Sequence, residues 1–248
     1  GGVEAFCIGS EMRGLTQIRG AGDSFPAVSA LIALAAEVRT ILGPTCKLSY
    51  AADWSEYFGY HVGNNIYFHL DPLWADANID FIGIDNYMPL SDWREGEVHA
   101  DSAWQSLYDP DYLIANIAGG EGFDWFYASE ADRQARNRTA ITDGAYGKPW
   151  VYRFKDLESW WGNRHCNRIG GVEQVSPTAW APQMKPFWFT ELGCGAVDKG
   201  ANQPNVFVDA KSVESGRPYF SAGARSDSQQ RRFLEAHLEH WQGANVPE

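Results

Sequence analysis

Short apolar runs alternate with amphipathic segments along much of the chain. The apolar runs predict strands over residues 4–11, 46–54, 78–90 and 186–191. The intervening periodicity predicts a helix over residues 24–43, with Pro26 in its first turn and Gly43 as its stop. Strands that are apolar throughout and are joined by helices indicate a parallel sheet covered by helices, the arrangement of α/β proteins.

Two further helices are predicted near Leu70 and at the end of the chain. Residues 70–76 form the first of these, and residues 226–242 form the second. The last helix begins at a Ser226/Asp227 cap, and a single apolar face is expected from Phe233, Leu234, Leu238 and Trp241.

The stretch over residues 93–184 interrupts this alternation. Residues 109–141 are predicted to be largely helical with a break at Gly119-Gly120, whereas residues 147–171 fit no simple helix. We therefore expect an extended helical and irregular insertion within a single domain that covers residues 1–248.

Acidic, amide and aromatic residues stand where the predicted strands end. They are Glu11, Asp53, Trp54, Asp85, Asn86, Tyr87 and Glu191. In parallel α/β sheets the carboxyl ends of the strands share one edge, where functional groups collect. Each residue also has a structural explanation when taken alone: Asp53 could cap the next helix, Asp85 could cap a loop, and Tyr87 could be core.

The two glutamates are the strongest candidates for chemistry. Glu11 and Glu191 lie 180 positions apart, yet both end a predicted strand. Glycoside hydrolysis needs two carboxyl groups on either side of one bond, about 5–5.5 Å apart in the retaining mechanism. Glutamate reaches one methylene further than Asp53 or Asp85, which favours the glutamate pair.

Composition narrows the classes of function. The net charge of −12 argues against a nucleic-acid partner, and no run of 18 apolar residues predicts a membrane span. The aromatic content of 14% suits stacking on sugars, although aromatic residues also fill cores, as the Trp160-Trp161 pair could do.

No cofactor or metal is predicted. The four cysteines, Cys7, Cys46, Cys166 and Cys194, form no C-x-x-C pair, and free thiols are the simplest interpretation, with disulfides left open. Metal-assisted hydrolysis would recruit a histidine, but His61 and His69 stand away from the predicted strand ends.

Several long segments resemble a known family. "CIGSEM" and "FTELG" resemble the strands that carry the acid/base and the nucleophile of clan A retaining glycoside hydrolases, which are (β/α)8 TIM barrels. "LDPLWADANIDFIGIDNYMPLSDWR" and residues 160–223 resemble, more closely, the TIM-barrel-like domain of gene transfer agent and phage-tail host-specificity proteins. This second resemblance covers essentially the whole chain.

The resemblance implies roles and partners. Glu11 would be the acid/base, Glu191 the nucleophile, and Tyr87 would orient Glu191, while Asp53, Trp54 and Asn86 would line the cleft. It also implies a tail-tip domain of a phage-like particle that contacts other tail or baseplate proteins and acts on cell-envelope or capsular glycan of a bacterium.

Two features depart from the clan A pattern. Ser10 stands where those enzymes usually have an asparagine that contacts the sugar 2-hydroxyl group. If Glu11 ends the fourth strand, the chain supplies only about strands 4 to 7, a partial barrel with open sheet edges. The chain begins Gly-Gly-Val without an initiator Met, which favours a fragment of a longer protein.

The main alternative is a barrel that binds carbohydrate or is purely structural and is used by the tail tip for host recognition. A fold does not guarantee chemistry, and Ser10 keeps this alternative open.

Overall fold

The computed structural model describes residues 2–95, 98–213 and 215–243. Its α-helices are α1 (Arg13–Thr16), α2 (Pro26–Leu42), α3 (Asp71–Trp74), α4 (Pro110–Ala115), α5 (Glu130–Ala135), α6 (Leu157–Gly162) and α7 (Asp227–Gly243). Its strands are β1 (Ala5–Ser10), β2 (Lys47–Asp53), β3 (Tyr60–Val62), β4 (Asn65–Tyr67), β5 (Ile82–Asn86), β6 (Trp125–Phe126), β7 (Thr139–Ala140), β8 (Arg168–Ile169), β9 (Val172–Glu173) and β10 (Phe187–Leu192).

The chain divides into two compact units. The first comprises Gly1–Asn86 and Leu157–Glu191, and the second comprises Tyr87–Asp156 and Leu192–Glu248. The segment 93–184 is thus shared between the two units, and its residues 96 and 97 lie outside the described part. The single domain expected over residues 1–248 stays a prediction.

The first unit is built on a sheet of four strands in the order β1-β2-β5-β10. β2 runs parallel to both neighbours, with Ala5 opposite Lys47 and Asp53 opposite Asp85. β10 runs in the same direction as β5, because the Ile82 N–H donates to the Pro186 carbonyl at 2.9 Å where both strands begin, and Thr190 meets Asp85 where both end.

The predicted parallel α/β sheet is therefore confirmed. The spatial order of the strands follows their chain order, as it does in a β/α barrel. Whether the sheet belongs to a closed or a partial barrel stays a prediction.

Burial separates the central strands from the outer ones. All five residues of β5 are buried, as are the five central residues of β2, which explains their continuous apolar runs. The outer strands keep exposed aromatic residues, with Phe6 of β1 44% exposed and Trp188 of β10 39% exposed.

Helix α2 begins and ends as the sequence predicts. Pro26 is its first residue, and Gly43 follows its end at φ 80°, where its N–H donates to the Arg39 carbonyl at 2.9 Å. The Arg39 guanidinium pairs with Asp80, whose carboxylate also accepts from the Leu48 N–H at 2.7 Å. This pair joins the end of α2 to the start of β2.

Helix α2 is unusually apolar for its burial. Val28, Leu31 and Ala35 are its buried residues, whereas Ile41 is 80% exposed. By length and composition alone, the helical segment Ala21–Leu42 could cross a membrane, a test that a core helix of a water-soluble domain also passes.

The second unit has its own core around α4 and α7. Its buried members are Leu90, Tyr112, Leu113, Ile117, Cys194, Ala201, Phe233 and Ala236. The Asp92 carboxylate forms ion pairs with Arg94 and Arg138, and it accepts a hydrogen bond from the Tyr127 hydroxyl at 2.6 Å. These bonds compensate a carboxylate that is only 6% exposed.

One expectation was wrong in this unit, and another was right only in part. Residues 109–141 are not largely helical, because α4 and α5 are short and the short strands β6 and β7 pair on either side of α5. In α7, the predicted apolar face is confirmed at Phe233, which is buried, and at Leu234 and Trp241, which pack against the core. It is wrong at Leu238, which is 59% exposed.

The prediction of buried free thiols is confirmed for Cys46 and Cys194, whereas Cys7 and Cys166 are free but only partly buried.

Gly83 on β5 gives a first test of the sheet. A Cβ at this position would lie 2.5 Å from the Tyr50 carbonyl oxygen and 3.2 Å from the Thr190 side chain. We expect Gly83→Ala to lower the free energy of unfolding by about 1–3 kcal/mol, since the neighbouring backbone must shift. Urea unfolding measures it, with Gly14→Ala as the control because nothing lies within 4 Å of a Cβ there. Equal stability of the two variants would contradict this packing.

Candidate functional site

The carboxyl edge of the four-stranded sheet gathers the predicted acidic residues. Glu11 follows the last residue of β1, Asp53 ends β2, Asp85 lies next to the end of β5, and Glu191 lies next to the end of β10. Parallel strands in adjacent positions bring these carboxylates to one edge. All four belong to the first unit.

Asp85 connects the outer strands. Its Oδ2 accepts a hydrogen bond from the Ser10 hydroxyl at 3.1 Å, and its Oδ1 accepts one from the Thr190 hydroxyl at 2.6 Å. Ser10 and Thr190 are the residues directly before Glu11 and Glu191. One buried carboxylate thus holds the backbone that leads into each glutamate.

This geometry gives Ser10 a different contact from the expected one. The sequence places Ser10 where a sugar-contacting asparagine would stand, but its hydroxyl proton is directed to Asp85. A contact between Ser10 and a substrate stays a prediction.

Electrostatics distinguish Glu11 from the other acids. Partial burial, followed in order of influence by the negative charges of Asp85, Asp53, Glu191 and Glu56, raises its pKa from the ordinary 4.5 to about 7. The side chain is nonetheless exposed to solvent. Near neutral pH, Glu11 therefore keeps its proton in a substantial share of molecules.

Asp85 is buried, and its hydrogen bonds stabilise its ionised form. Burial raises the pKa of Asp85, the hydroxyl donors Thr190 and Ser10 lower it, and the charges of Glu191 and Asp53 raise it, so that its pKa lies above the ordinary value. The two hydroxyl donors oppose that rise because they bind the ionised carboxylate.

The backbone of Glu11 is unusual. Its φ is 50°, in the left-handed region that residues other than glycine rarely adopt. Such conformations persist where the surroundings fix them, and they concentrate at functional sites.

Asp53 and Trp54 shape the turn after β2. The Asp53 carboxylate accepts from the Ser55 N–H at 2.7 Å, and the Asp53 carbonyl accepts from the Glu56 N–H at 2.8 Å. The Trp54 N–H donates to the Asp85 carbonyl at 3.1 Å. Asp53 thus caps a turn over residues 54–58, where its structural explanation had a helix, and its charge also raises the pKa of Glu11.

Asn86 and Tyr87 are separated by the division of the chain. Asn86 is only 1% exposed in the first unit, and Tyr87 is half-buried in the second. The cleft-lining role of Asn86 and the orienting role of Tyr87 stay predictions.

Trp160 is core. It is 0% exposed and packs against Trp180 and His165, whose ring centroids lie 5.0 and 4.6 Å from its own, respectively. The neighbouring Trp161 is half-buried, and its indole N–H donates to the Lys185 carbonyl at 2.6 Å. Packing, not sugar stacking, accounts for Trp160.

Sequence reasoning missed Thr190 and Glu56. Thr190 lies within the FTELG motif and directly precedes Glu191, a position equivalent to that of Ser10 before Glu11. Glu56 is a glutamate three residues after a strand end, but its complete burial leaves no mark in the periodicity.

Within the described residues, no group of three or more His, Cys, Asp and Glu side chains is arranged to hold a metal ion.

The fold and this edge define an α/β protein whose acidic residues collect at the carboxyl ends of a parallel sheet. The family model of the GTA TIM-barrel-like domain matches residues 1–248, and the chain belongs to this family. The family associates it with gene transfer agents, which are phage-like particles. A comparison with curated proteins finds no match.

The raised pKa of Glu11 predicts a pH-dependent change in stability. A carboxyl group whose pKa is higher in the folded state contributes stability below its unfolded pKa and loses it as the pH rises through about 7. We therefore expect Glu11→Gln to match the wild type at pH 4.5 and to be more stable at pH 8. The gain should be about 1 kcal/mol or less, since water screens a partly exposed charge.

Urea unfolding at the two pH values measures this difference. Glu37→Gln, which removes an exposed glutamate of α2, controls for the loss of one negative charge. A Glu11→Gln variant that is less stable than the wild type at pH 8 would contradict the prediction.

Proposed function

We propose that this chain is a glycoside-hydrolase-like domain of a tail-tip protein in a phage-like particle. In this proposal it hydrolyses cell-envelope or capsular glycan by a retaining mechanism with Glu11 as acid/base and Glu191 as nucleophile. The observation that carries the proposal is the raised pKa of Glu11 beside the carboxylates of Asp85, Asp53 and Glu191. Glycoside hydrolysis requires one carboxyl group that can donate a proton near neutral pH, and a raised pKa supplies it.

In the first step, Glu11 donates its proton to the glycosidic oxygen while Glu191 attacks the anomeric carbon. The bond between that carbon and the leaving oxygen breaks, its electron pair remains on the oxygen, and a covalent glycosyl ester forms on Glu191. With a pKa of about 7, roughly half of the Glu11 side chains carry the proton at pH 7, and this protonated form is the one that the step needs.

In the second step, Glu11 acts as a base. It removes a proton from a water molecule, whose oxygen attacks the anomeric carbon and releases Glu191 as a carboxylate. Glu11 is protonated again at the end, so the pair returns to its starting state. In the intermediate, Glu191 is an uncharged ester. The pKa of Glu11 is then lower, because the negative charge of Glu191 is one of the causes that raise it.

Asp85 supports both steps without touching the reacting bond in this scheme. It holds Ser10 and Thr190, and through them the chain entering each glutamate. Its charge also favours the protonated form of Glu11.

We further propose that the sheet is part of a barrel. β1 and β10 are the outer strands of the four described, and exposed Phe6 and Trp188 lie on them. A barrel removes such edges by pairing them with further strands. Full protection of the β1 and β10 amides from hydrogen exchange in a longer parent protein would support closure, and edge-like exchange there would contradict it.

The glutamate roles predict distinct losses of activity. In the parent protein, Glu191→Gln should abolish the release of reducing ends from bacterial envelope or capsular polysaccharide. Glu11→Gln should lower the rate by about 10²–10⁴-fold. The loss should be smaller on aryl glycosides with good leaving groups, which need no protonation.

NMR of the first product shows whether its anomeric configuration is that of the substrate, as expected for retention, or the opposite one, as expected for inversion. Full activity of Glu191→Gln would remove it as the nucleophile. Binding of the glycan without turnover, unchanged by Glu11→Gln, would favour the non-catalytic carbohydrate-binding alternative.

A further inference from the structure

We infer that Glu56 is a positioning residue that, through Tyr50 and Thr16, fixes the backbone of Glu11 in its left-handed conformation. The catalytic consequence of this inference rests on the proposed function of Glu11. Its geometric part does not.

Both peptide groups that flank the Glu11 Cα are held by β2. The Glu11 N–H donates to the Ala51 carbonyl at 2.8 Å. The next amide, the Met12 N–H, donates to the Tyr50 hydroxyl oxygen at 2.7 Å. The second bond is unusual, because the acceptor is a side chain from the middle of a buried strand.

The Tyr50 hydroxyl is itself directed by Glu56. Because the hydroxyl oxygen accepts from Met12, its single proton is available to donate, and the Glu56 oxygens lie 3.0 and 3.2 Å away. By accepting the Tyr50 hydroxyl proton, the Glu56 carboxylate orients that hydroxyl so that its oxygen can accept from the Met12 N–H.

Thr16 ties the far end of the same segment to Glu56. The Thr16 hydroxyl donates to Glu56 Oε1, and the Thr16 N–H donates to the Met12 carbonyl at 2.9 Å. Glu56 and Thr16 are both 0% exposed. The segment from Met12 to Thr16 is therefore closed into a loop around one buried carboxylate.

A simple structural role would be that three polar groups satisfy one another in the core. Two observations point further. The hydrogen bonds end at the amide next to Glu11, whose φ of 50° needs support from outside the residue. Glu56 also contributes, as the last of five causes, to the raised pKa of Glu11.

Tyr50→Phe tests the link, because it removes the acceptor of the Met12 N–H and the donor to Glu56 while keeping the ring. We expect hydrogen exchange at the Met12 amide to rise by about tenfold, as for the loss of one hydrogen bond. In the parent protein, kcat on a glycan substrate should fall by about 10–100-fold with KM changed less than about threefold, since a displaced acid affects the chemical step.

Tyr67→Phe is the matched control. Tyr67 is also buried, and its hydroxyl donates to a carboxylate, Asp23, at 3.3 Å, but no bond in this set connects it to Met12. Neither Met12 exchange nor kcat should change in this variant.

Two substitutions of different severity test the hydrogen-bonding role of Glu56. Glu56→Gln keeps a carbonyl oxygen at the same reach for the two hydroxyls and should retain more of kcat and of Met12 protection than Glu56→Ala. Equal loss in both variants at unchanged KM would contradict the hydrogen-bonding role.

The outcomes separate this inference from the proposed function. Unchanged Met12 exchange in a folded Tyr50→Phe variant overturns the inference, whether or not the protein is a hydrolase. Faster exchange with unchanged kcat in an active protein overturns the catalytic consequence and leaves only the geometric part. If the wild type hydrolyses no glycan, the proposed function fails, and faster Met12 exchange in Tyr50→Phe but not in Tyr67→Phe still supports the positioning of Glu11.

Discussion

The site depends on one interaction: the buried Asp85 carboxylate accepts hydrogen bonds from two hydroxyl groups. Ser10 and Thr190 come from the two outer strands of the sheet, and Asp85 comes from a strand between them. A buried charge would be costly without these partners. Its bonds set the spacing of the strand ends from which Glu11 and Glu191 emerge, and its charge influences the protonation of Glu11.

The central strands make this arrangement possible. β5 is buried throughout and β2 is buried at its five central residues, so the two strands fix the register in which Asp53 lies opposite Asp85. Gly83 leaves room for the Tyr50 carbonyl and the Thr190 side chain to approach β5. The close packing at Gly83 and the charge at Asp85 thus lie two residues apart on the same short strand, and Thr190 contacts both positions.

Much of this could be predicted from the sequence. Apolar runs predict helix α2 and the four strands of the parallel sheet, β1, β2, β5 and β10. Parallel strands share a carboxyl edge, and this rule places Glu11, Asp53, Asp85 and Glu191 together there. The residues between 109 and 141 were misjudged because their apolar residues pack as a short helix and a hairpin, and short segments do not reveal their period.

The supporting residues of the site could not be predicted for a different reason. Thr190, Tyr50 and Glu56 act through hydrogen bonds between positions distant in sequence, or between a strand interior and a turn. Periodicity reports only which face a residue occupies. It carries no information about which hydroxyl proton points to which carboxylate.

The left-handed backbone at Glu11 has a consequence for reading related sequences. Glycine and asparagine adopt this conformation at the least cost, so a lineage released from selection on the carboxylate would be expected to drift toward them at this position. Under the proposed acid/base role, a glutamate is expected to persist at this position, against the preference of the turn, in relatives that share that role. The residue at this one position would then separate relatives with the proposed activity from relatives without it.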